Sequence, residues 1–178
     1  MNKKKLVTEM GRIDRDAFAQ SQKLPLVVVL DNVRSLHNVG SVFRTSDAFR
    51  VECIMLCGIT ATPPSAEIHK TALGAEDVVD WKYYESTMDA VAELRSQGYK
   101  IYSIELCQGS IALQDFVTAP GERYAVVLGN EVKGVQQDVV DASDGAIEIP
   151  QFGTKHSLNV SVTAGMVIWE FAKKLGLV

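Results

Sequence analysis

Three polar, glycine-bearing segments of this sequence, each directly after an apolar run, carry side chains suited to act on a ligand: an asparagine and an arginine in the first, a carboxylate in the second, hydroxyl and amide groups in the third. In Asn38-Val39-Gly40-Ser41-Val42-Phe43-Arg44, the arginine lies four residues after Gly40 on one helical face. Its guanidinium is expected to lean toward the helix start, over a residue with no side chain, leaving room there for a ligand. A helix start attracts phosphate through its free N–H groups and dipole, and a guanidinium grips a phosphate with two parallel hydrogen bonds. Two plainer alternatives remain open at this point: Asn38 acts only as a helix N-cap, and Arg44 pairs on the surface with Asp47. In Val127-Leu128-Gly129-Asn130-Glu131-Val132-Lys133-Gly134, an apolar run enters a tight turn that presents backbone groups and one carboxylate. In the segment from Ile149 to Ser161, a proline ends a strand, a loop follows, and hydroxyl and amide groups stand at the start of a helix.

The elements that must hold these segments alternate. Leu24–Leu30 is continuous and rich in β-branched residues, as a strand buried on both faces would be. Further strands are expected at residues 53–57, 78–84, 99–106, 124–128 and 146–149. Helices are expected near residues 6–20 and over 38–49, 65–73, 87–97, 135–142 and 157–175, with Pro63-Pro64 in a loop. This alternation predicts a single α/β domain over residues 24–178, its parallel sheet covered by helices on both faces, preceded by a basic helical segment over residues 1–23. Ligands of such sheets sit beyond the carboxyl ends of the strands, where all three segments fall. The usual phosphate loops are missing: no Gly-x-Gly-x-x-Gly follows the first strand and no Gly-Lys-Ser/Thr occurs. An ordinary dinucleotide or nucleoside triphosphate site is therefore disfavoured.

In this order and spacing the three segments resemble the signature motifs of the SpoU-type RNA ribose 2′-O-methyltransferases of the SPOUT superfamily, a likeness covering residues 24–175. The resemblance implies a carboxy-terminal trefoil knot, a homodimer, and S-adenosylmethionine held bent in the knot. It implies that Asn38, Arg44, Glu131, Ser157 and Asn159 are the functional positions, with Arg44 the catalytic arginine. Leu106, Gly129, Ile149, Ser157 and Leu158 correspond to cofactor contacts, made largely through backbone, and His37 to an RNA contact. Arg50 and Gln151 depart from the usual pattern without touching the chemistry.

Methyl transfer from a sulfonium to a ribose hydroxyl is an in-line displacement. Alignment of donor and acceptor can supply roughly 7–11 kcal/mol of the barrier, and a general base about 10²–10⁴-fold. The family's arginine has been proposed as that base. Deprotonating an arginine at pH 7 costs about 9 kcal/mol, more than a base returns. Arg44 is therefore expected to stay charged, clamping the adjacent phosphate and stabilising the forming alkoxide.

Composition bounds the rest. The chain has 178 residues, 47% apolar and 22% charged, as in an ordinary globular domain. The longest apolar stretches fall short of a membrane span, and Met1-Asn2-Lys3-Lys4-Lys5 lacks the apolar region of a signal peptide. Three cysteines without metal-ligand spacing suggest a reduced, metal-free, cytoplasmic protein. Residues 1–24 carry six cations against three acids, a charge of +3, so the remainder carries −7 of the overall −4. By charge alone this segment reads as a solubilising helix; with the resemblance and a dimer, Lys3, Lys4, Lys5, Arg12 and Arg15 are the expected phosphate contacts of an RNA, gripped locally rather than by a uniformly basic surface. The apolar last helix fits burial in a dimer or, equally, in a monomer core. Compact size favours tRNA over ribosomal RNA. A non-catalytic RNA-binding module that kept the fold is the alternative from another class, and a guanine-methylating relative a third reading.

Overall fold

The computed structural model describes residues 2–178; Met1, in the expected amino-terminal segment, lies outside them. Seven strands form one parallel sheet in the order β3-β2-β1-β6-β4-β7-β5. They are β1 (Leu24–Asp31), β2 (Val51–Cys57), β3 (Trp81–Tyr84), β4 (Tyr99–Ile104), β5 (Ile111–Ala112), β6 (Arg123–Leu128) and β7 (Gly145–Glu148). The helices are α1 (Arg15–Gln20), α2 (Leu36–Ala48), α3 (Ala66–Ala72), α4 (Thr87–Ser96), α5 (Gln137–Ala142) and α6 (Val160–Lys174). Along β1 the side chains alternate between two cores. Leu26, Val28 and Leu30 pack with Phe43 of α2, Ile68 of α3 and Phe171 of α6. Val27 and Val29 pack with Leu94 of α4 and Val139 of α5. A strand apolar up to its final Asp31 is thus buried on both faces, as its composition predicts.

Several expected boundaries shift for local reasons. The helix expected over residues 6–20 is broken: a single turn at Val7–Glu9 precedes Gly11 in the left-handed region (φ 60°), and α1 starts afresh where Asp14 caps the Ala17 amide at 2.8 Å. The strand expected from Val78 begins at Trp81, because Ala75–Asp77 form a helical turn. The strand expected to reach Leu106 stops at Ile104, and the Leu106 amide donates to the Glu105 carboxylate at 3.0 Å. The last helix begins at Val160, so Ser157 and Leu158 lie in the preceding loop. The two-residue edge strand β5 was not expected; Ile111 pairs with Ile147 and Ala112 with Glu148.

Gly40 does not open space for a ligand, as its spacing from Arg44 suggested. A Cβ there would collide with the Ile68 carbonyl oxygen and Thr71 Oγ1, so the bare backbone lets α2 and α3 touch. Gly40→Ala should therefore cost about 1–3 kcal/mol through overpacking. For a chain of this size that lowers Tm by roughly 2–4 °C per kcal/mol, measurable by thermal denaturation.

Candidate active site

The loops after β1, β4, β6 and β7 meet at the carboxyl end of the sheet, where strand-end geometry places ligands. Ser35 caps α2, its side chain accepting from the Asn38 amide at 3.3 Å. Asn38 is therefore not the N-cap, and its side chain is free for another task. Its Nδ2 donates to Glu131 Oε1 at 3.1 Å, and its Oδ1 accepts from Asn159 Nδ2 at 3.1 Å. Asn159 in turn caps α6, its Oδ1 accepting from the Ser161 amide at 2.9 Å and the Val162 amide at 3.3 Å. That cap fixes the orientation of the Asn159 amide and, through it, of Asn38. Hydrogen bonds then run in one direction from the start of α6, through Asn159 and Asn38, to the Glu131 carboxylate. Glu131 also accepts from the backbone amides of Arg34 at 2.9 Å and Ser35 at 3.0 Å. Burial would push the Glu131 carboxyl up, but these backbone amides and the Asn38 side chain outweigh it and hold it below the ordinary carboxylate range.

A cavity of about 480 Å³ opens beside this relay. Leu106, Gly129, Glu131, Ile149, Ser157 and Leu158 are among its lining residues, so the expected cofactor positions converge. Gly129 is required by close approach: a Cβ would collide with the backbone of Gly134 and Val135. Residues 130–134 close a tight hairpin in which the Asn130 and Gly134 backbones exchange hydrogen bonds of 3.0 and 2.9 Å. Leu106, Leu128 and Leu158 offer apolar walls, while Glu105, Glu131 and Glu148 bring carboxylates to the same space. A purine and a positively charged sulfonium are the kinds of group such a lining suits, and the volume is that of a small-molecule site. Cys107 also lines the cavity, but burial raises its thiol pKa, which leaves it a poor nucleophile. Among the described residues, no three His, Cys, Asp or Glu side chains gather as a metal-ligand set. No helix among them is long and apolar enough to cross a membrane.

The remaining expected residues lie elsewhere. Arg44 is exposed on α2, its side chain makes no ion pair or hydrogen bond among the described residues, and it is not part of the cavity lining. The surface pair with Asp47 does not form. Arg44 is about 9 Å along the helix from Asn38, six residues at 1.5 Å each. His37 is exposed but engaged, its Nε2 lying 2.9 Å from Glu67. Lys3, Lys4, Lys5 and Arg12 are exposed, and Arg15 pairs with Asp77 at 3.1 Å, which ties α1 to the body of the chain.

Three carboxylates at or behind the site were missed: Asp31, Glu105 and Glu148. Asp31 ends β1 and is fully buried, yet accepts four hydrogen bonds: from Asn32 Nδ2 at 2.8 Å, Thr87 Oγ1 at 2.6 Å, and the backbone amide and Nε2 of Gln136 at 2.8 Å each. It pins the end of the Gly129–Gln136 loop to β1. Glu105 joins two walls of the cavity, taking the amides of Leu106 and Val135, each at 3.0 Å. A signal was present for Asp31, the only charge in an eight-residue apolar strand, at its carboxyl end.

Residues 25–169 match the SpoU rRNA Methylase family. The chain is 30% identical over 158 residues to a tRNA (guanosine(18)-2′-O)-methyltransferase of Aquifex aeolicus, a match covering 88% of this chain and 72% of that one. It is 29% identical over 170 residues to the 23S rRNA (guanosine-2′-O-)-methyltransferase RlmB of Vibrio parahaemolyticus, covering 96% and 68%. Its fold superimposes on the AdoMet-bound rRNA methyltransferase of Sinorhizobium meliloti with a TM-score of 0.78 and 26% identity, over 89% of this chain and 59% of that one. The chain thus spans about two thirds of the length of such relatives. With its match running through nearly the whole sheet, the chain belongs to the SpoU rRNA methylase family.

Proposed function

We propose that this chain catalyses S-adenosylmethionine-dependent methylation of a ribose 2′-hydroxyl in RNA. The observation that carries the reading is the Asn159–Asn38–Glu131 relay, which ties the three segments together and ends on a carboxylate that lines the cavity. When bound, S-adenosylmethionine supplies an electrophilic methyl group. The residues of the chain do the rest. Leu106, Gly129, Ile149 and Leu158 frame the cofactor's place, with Ser157 offering a hydroxyl at its mouth. Glu131, Asn38 and Asn159 hold the loops in register, and a charged Arg44 clamps the phosphate next to the acceptor ribose.

The active form is a homodimer in which one protomer's Arg44 serves the cavity of its partner. This reading is supported by Arg44 standing unpaired and outside the cavity of its own protomer. It is supported too by Val162, Met166 and Trp169, an exposed apolar stripe on α6 that starts three residues after Asn159. Trp169 meets Phe49, at the end of α2, edge-on with ring centroids 5.7 Å apart, so the stripe is continuous with the helix that carries Arg44. A carboxy-terminal trefoil knot belongs to the same proposal. Its support is that β7 lies between β4 and β5, strands earlier in the chain, and that the segment after β7 returns to line the cavity. Lys3, Lys4, Lys5, Arg12 and Arg15, with His37, add phosphate contacts, and the reaction takes place in the cytoplasm.

Both tRNA and ribosomal RNA are to be offered with radiolabelled S-adenosylmethionine, tRNA being the expected substrate. Label should appear in 2′-O-methylnucleosides, read from alkali-resistant dinucleotides. Label on a base would instead identify a guanine-type methylase. Absence of heat on titrating S-adenosylmethionine would identify a non-catalytic RNA-binding module.

A further inference from the structure

A second cavity, of about 960 Å³, lies on the other side of the 130–134 hairpin from the cofactor's place. Arg34, Ile59, Val132 and Lys133 are among the residues around it, and Asn130, Val132 and Lys133 border both cavities. Arg34 and Lys133 are exposed and make no ion pair among the described residues. They stand as a pair of free cations on a chain whose overall charge is −4. Ile59 is 65% exposed and Val132 76% exposed, two aliphatic side chains left in water on opposite banks of the groove. Asp138 is the one acid among the lining residues.

The walls are held rigidly. Asn32 sits in the left-handed region (φ 55°), and its Oδ1 accepts from the Ile59 amide at 3.1 Å. Gly58, also left-handed (φ 62°), has no room for a Cβ because Asn32 Oδ1 occupies that space. On the other bank Asn130 Oδ1 accepts from the amides of Val132 at 2.9 Å and Lys133 at 3.1 Å, while its Nδ2 donates to the Asn32 carbonyl at 2.7 Å. The backbone amide of Arg34 rests on Glu131, so the root of this cation is one hydrogen bond from the relay.

We infer that this groove holds the nucleotide next to the methylated one. Its phosphate lies between the guanidinium of Arg34 and the ammonium of Lys133, and its base lies against Ile59 and Val132. The proposal rests on the RNA-methylation reading above and adds a subsite to it. A cation pair provides a phosphate clamp without reading sequence, and an aliphatic face accepts any base, so the subsite places the strand and leaves choice of nucleotide to other contacts.

The test uses Arg34→Ala, Ile59→Ser and the pair together, all at exposed positions where truncation leaves the backbone hydrogen bonds intact. RNA affinity is measured by filter binding over a range of salt, cofactor affinity by calorimetry, and steady-state methylation with RNA varied. Arg34→Ala should flatten the slope of log Kd against log salt by about 0.7, the loss of one phosphate contact on a single strand. The double variant should raise KM for RNA by roughly tenfold. The S-adenosylmethionine Kd and kcat at saturating RNA should stay unchanged. An unchanged salt slope and KM, with the unaltered chain active, would overturn the subsite alone. An unaltered chain that neither binds nor methylates RNA would overturn both the subsite and the function it rests on. Equal loss of cofactor and RNA binding in all variants would also overturn it, as general damage to the loops that carry both cavities.

Discussion

Arg44→Ala should lower kcat for RNA methylation by about 10²–10³-fold, the usual cost of deleting one donor to developing negative charge. The S-adenosylmethionine Kd should remain within about twofold, because Arg44 does not line the cavity of its own protomer. Arg44→Lys keeps the charge but not the two-pronged fork, and should retain less than about one tenth of the activity; near-normal turnover would count against a bidentate clamp. Mixing answers where the arginine works. In a two-fold dimer with the arginine acting across the interface, a heterodimer of one Arg44→Ala and one Glu131→Ala protomer has one intact site and one doubly damaged site. Equal mixtures of the two inactive variants should then regain about one quarter of the unaltered activity, half of the dimers carrying one working site each. If Arg44 serves its own protomer, each heterodimer site lacks one residue and the mixture stays inactive. Titrating the exposed Val162, Met166 and Trp169 stripe with a Met166→Glu variant should abolish the recovery by keeping protomers apart, visible by light scattering.

How far the sequence foretold this site depends on the range of each interaction. The apolar runs reported the strands well, because burial on both sheet faces leaves no polar position along β1 until Asp31. The converging loops were also legible, since strand ends dictate where loops collect. What escaped were pairings between residues far apart in the chain, from about thirty positions to more than ninety. Asn38 reads as a cap from its neighbours, but the structure gives that task to Ser35 and turns Asn38 toward Glu131, 93 residues away. Gly40 reads as a ligand opening beside Arg44, and only the placement of α3 shows that a neighbouring helix fills the gap. Glu105 bears no motif at all; its task exists only because the loop after β6 passes over the end of β4. The likeness to a known family supplied the site residues, and periodicity supplied the frame. Neither predicted that Arg44 would stand outside the cavity formed by its own chain.

Glu131→Ala should weaken every function of the site together, in contrast to Arg44→Ala. The carboxylate is the common acceptor for the Arg34 and Ser35 amides and the Asn38 side chain, and through Asn38 it reaches the cap of α6. Its removal leaves two backbone donors without a protein partner. Half-exposure lets water replace part of the loss, so the cost in stability should be near the low end of about 1–3 kcal/mol. Turnover should suffer more, by about 10²-fold, since small misplacements of aligned groups are costly. Both cofactor and RNA affinities should fall, because the β1–α2 loop and the 130–134 hairpin lose their shared tie. Glu131→Gln tests the same point through pH. The folded carboxyl sits below its ordinary range, so the ionised form stabilises the junction at pH values above about 4.3. That contribution should fade as pH falls from there through the lower folded value. The unaltered chain should therefore lose stability on the acid side more steeply than Glu131→Gln, whose amide does not titrate. Thermal melts between pH 7 and the acid limb would show the two curves converging as the carboxylate takes up its proton; parallel curves would mean that Glu131 is not the tie holding these loops.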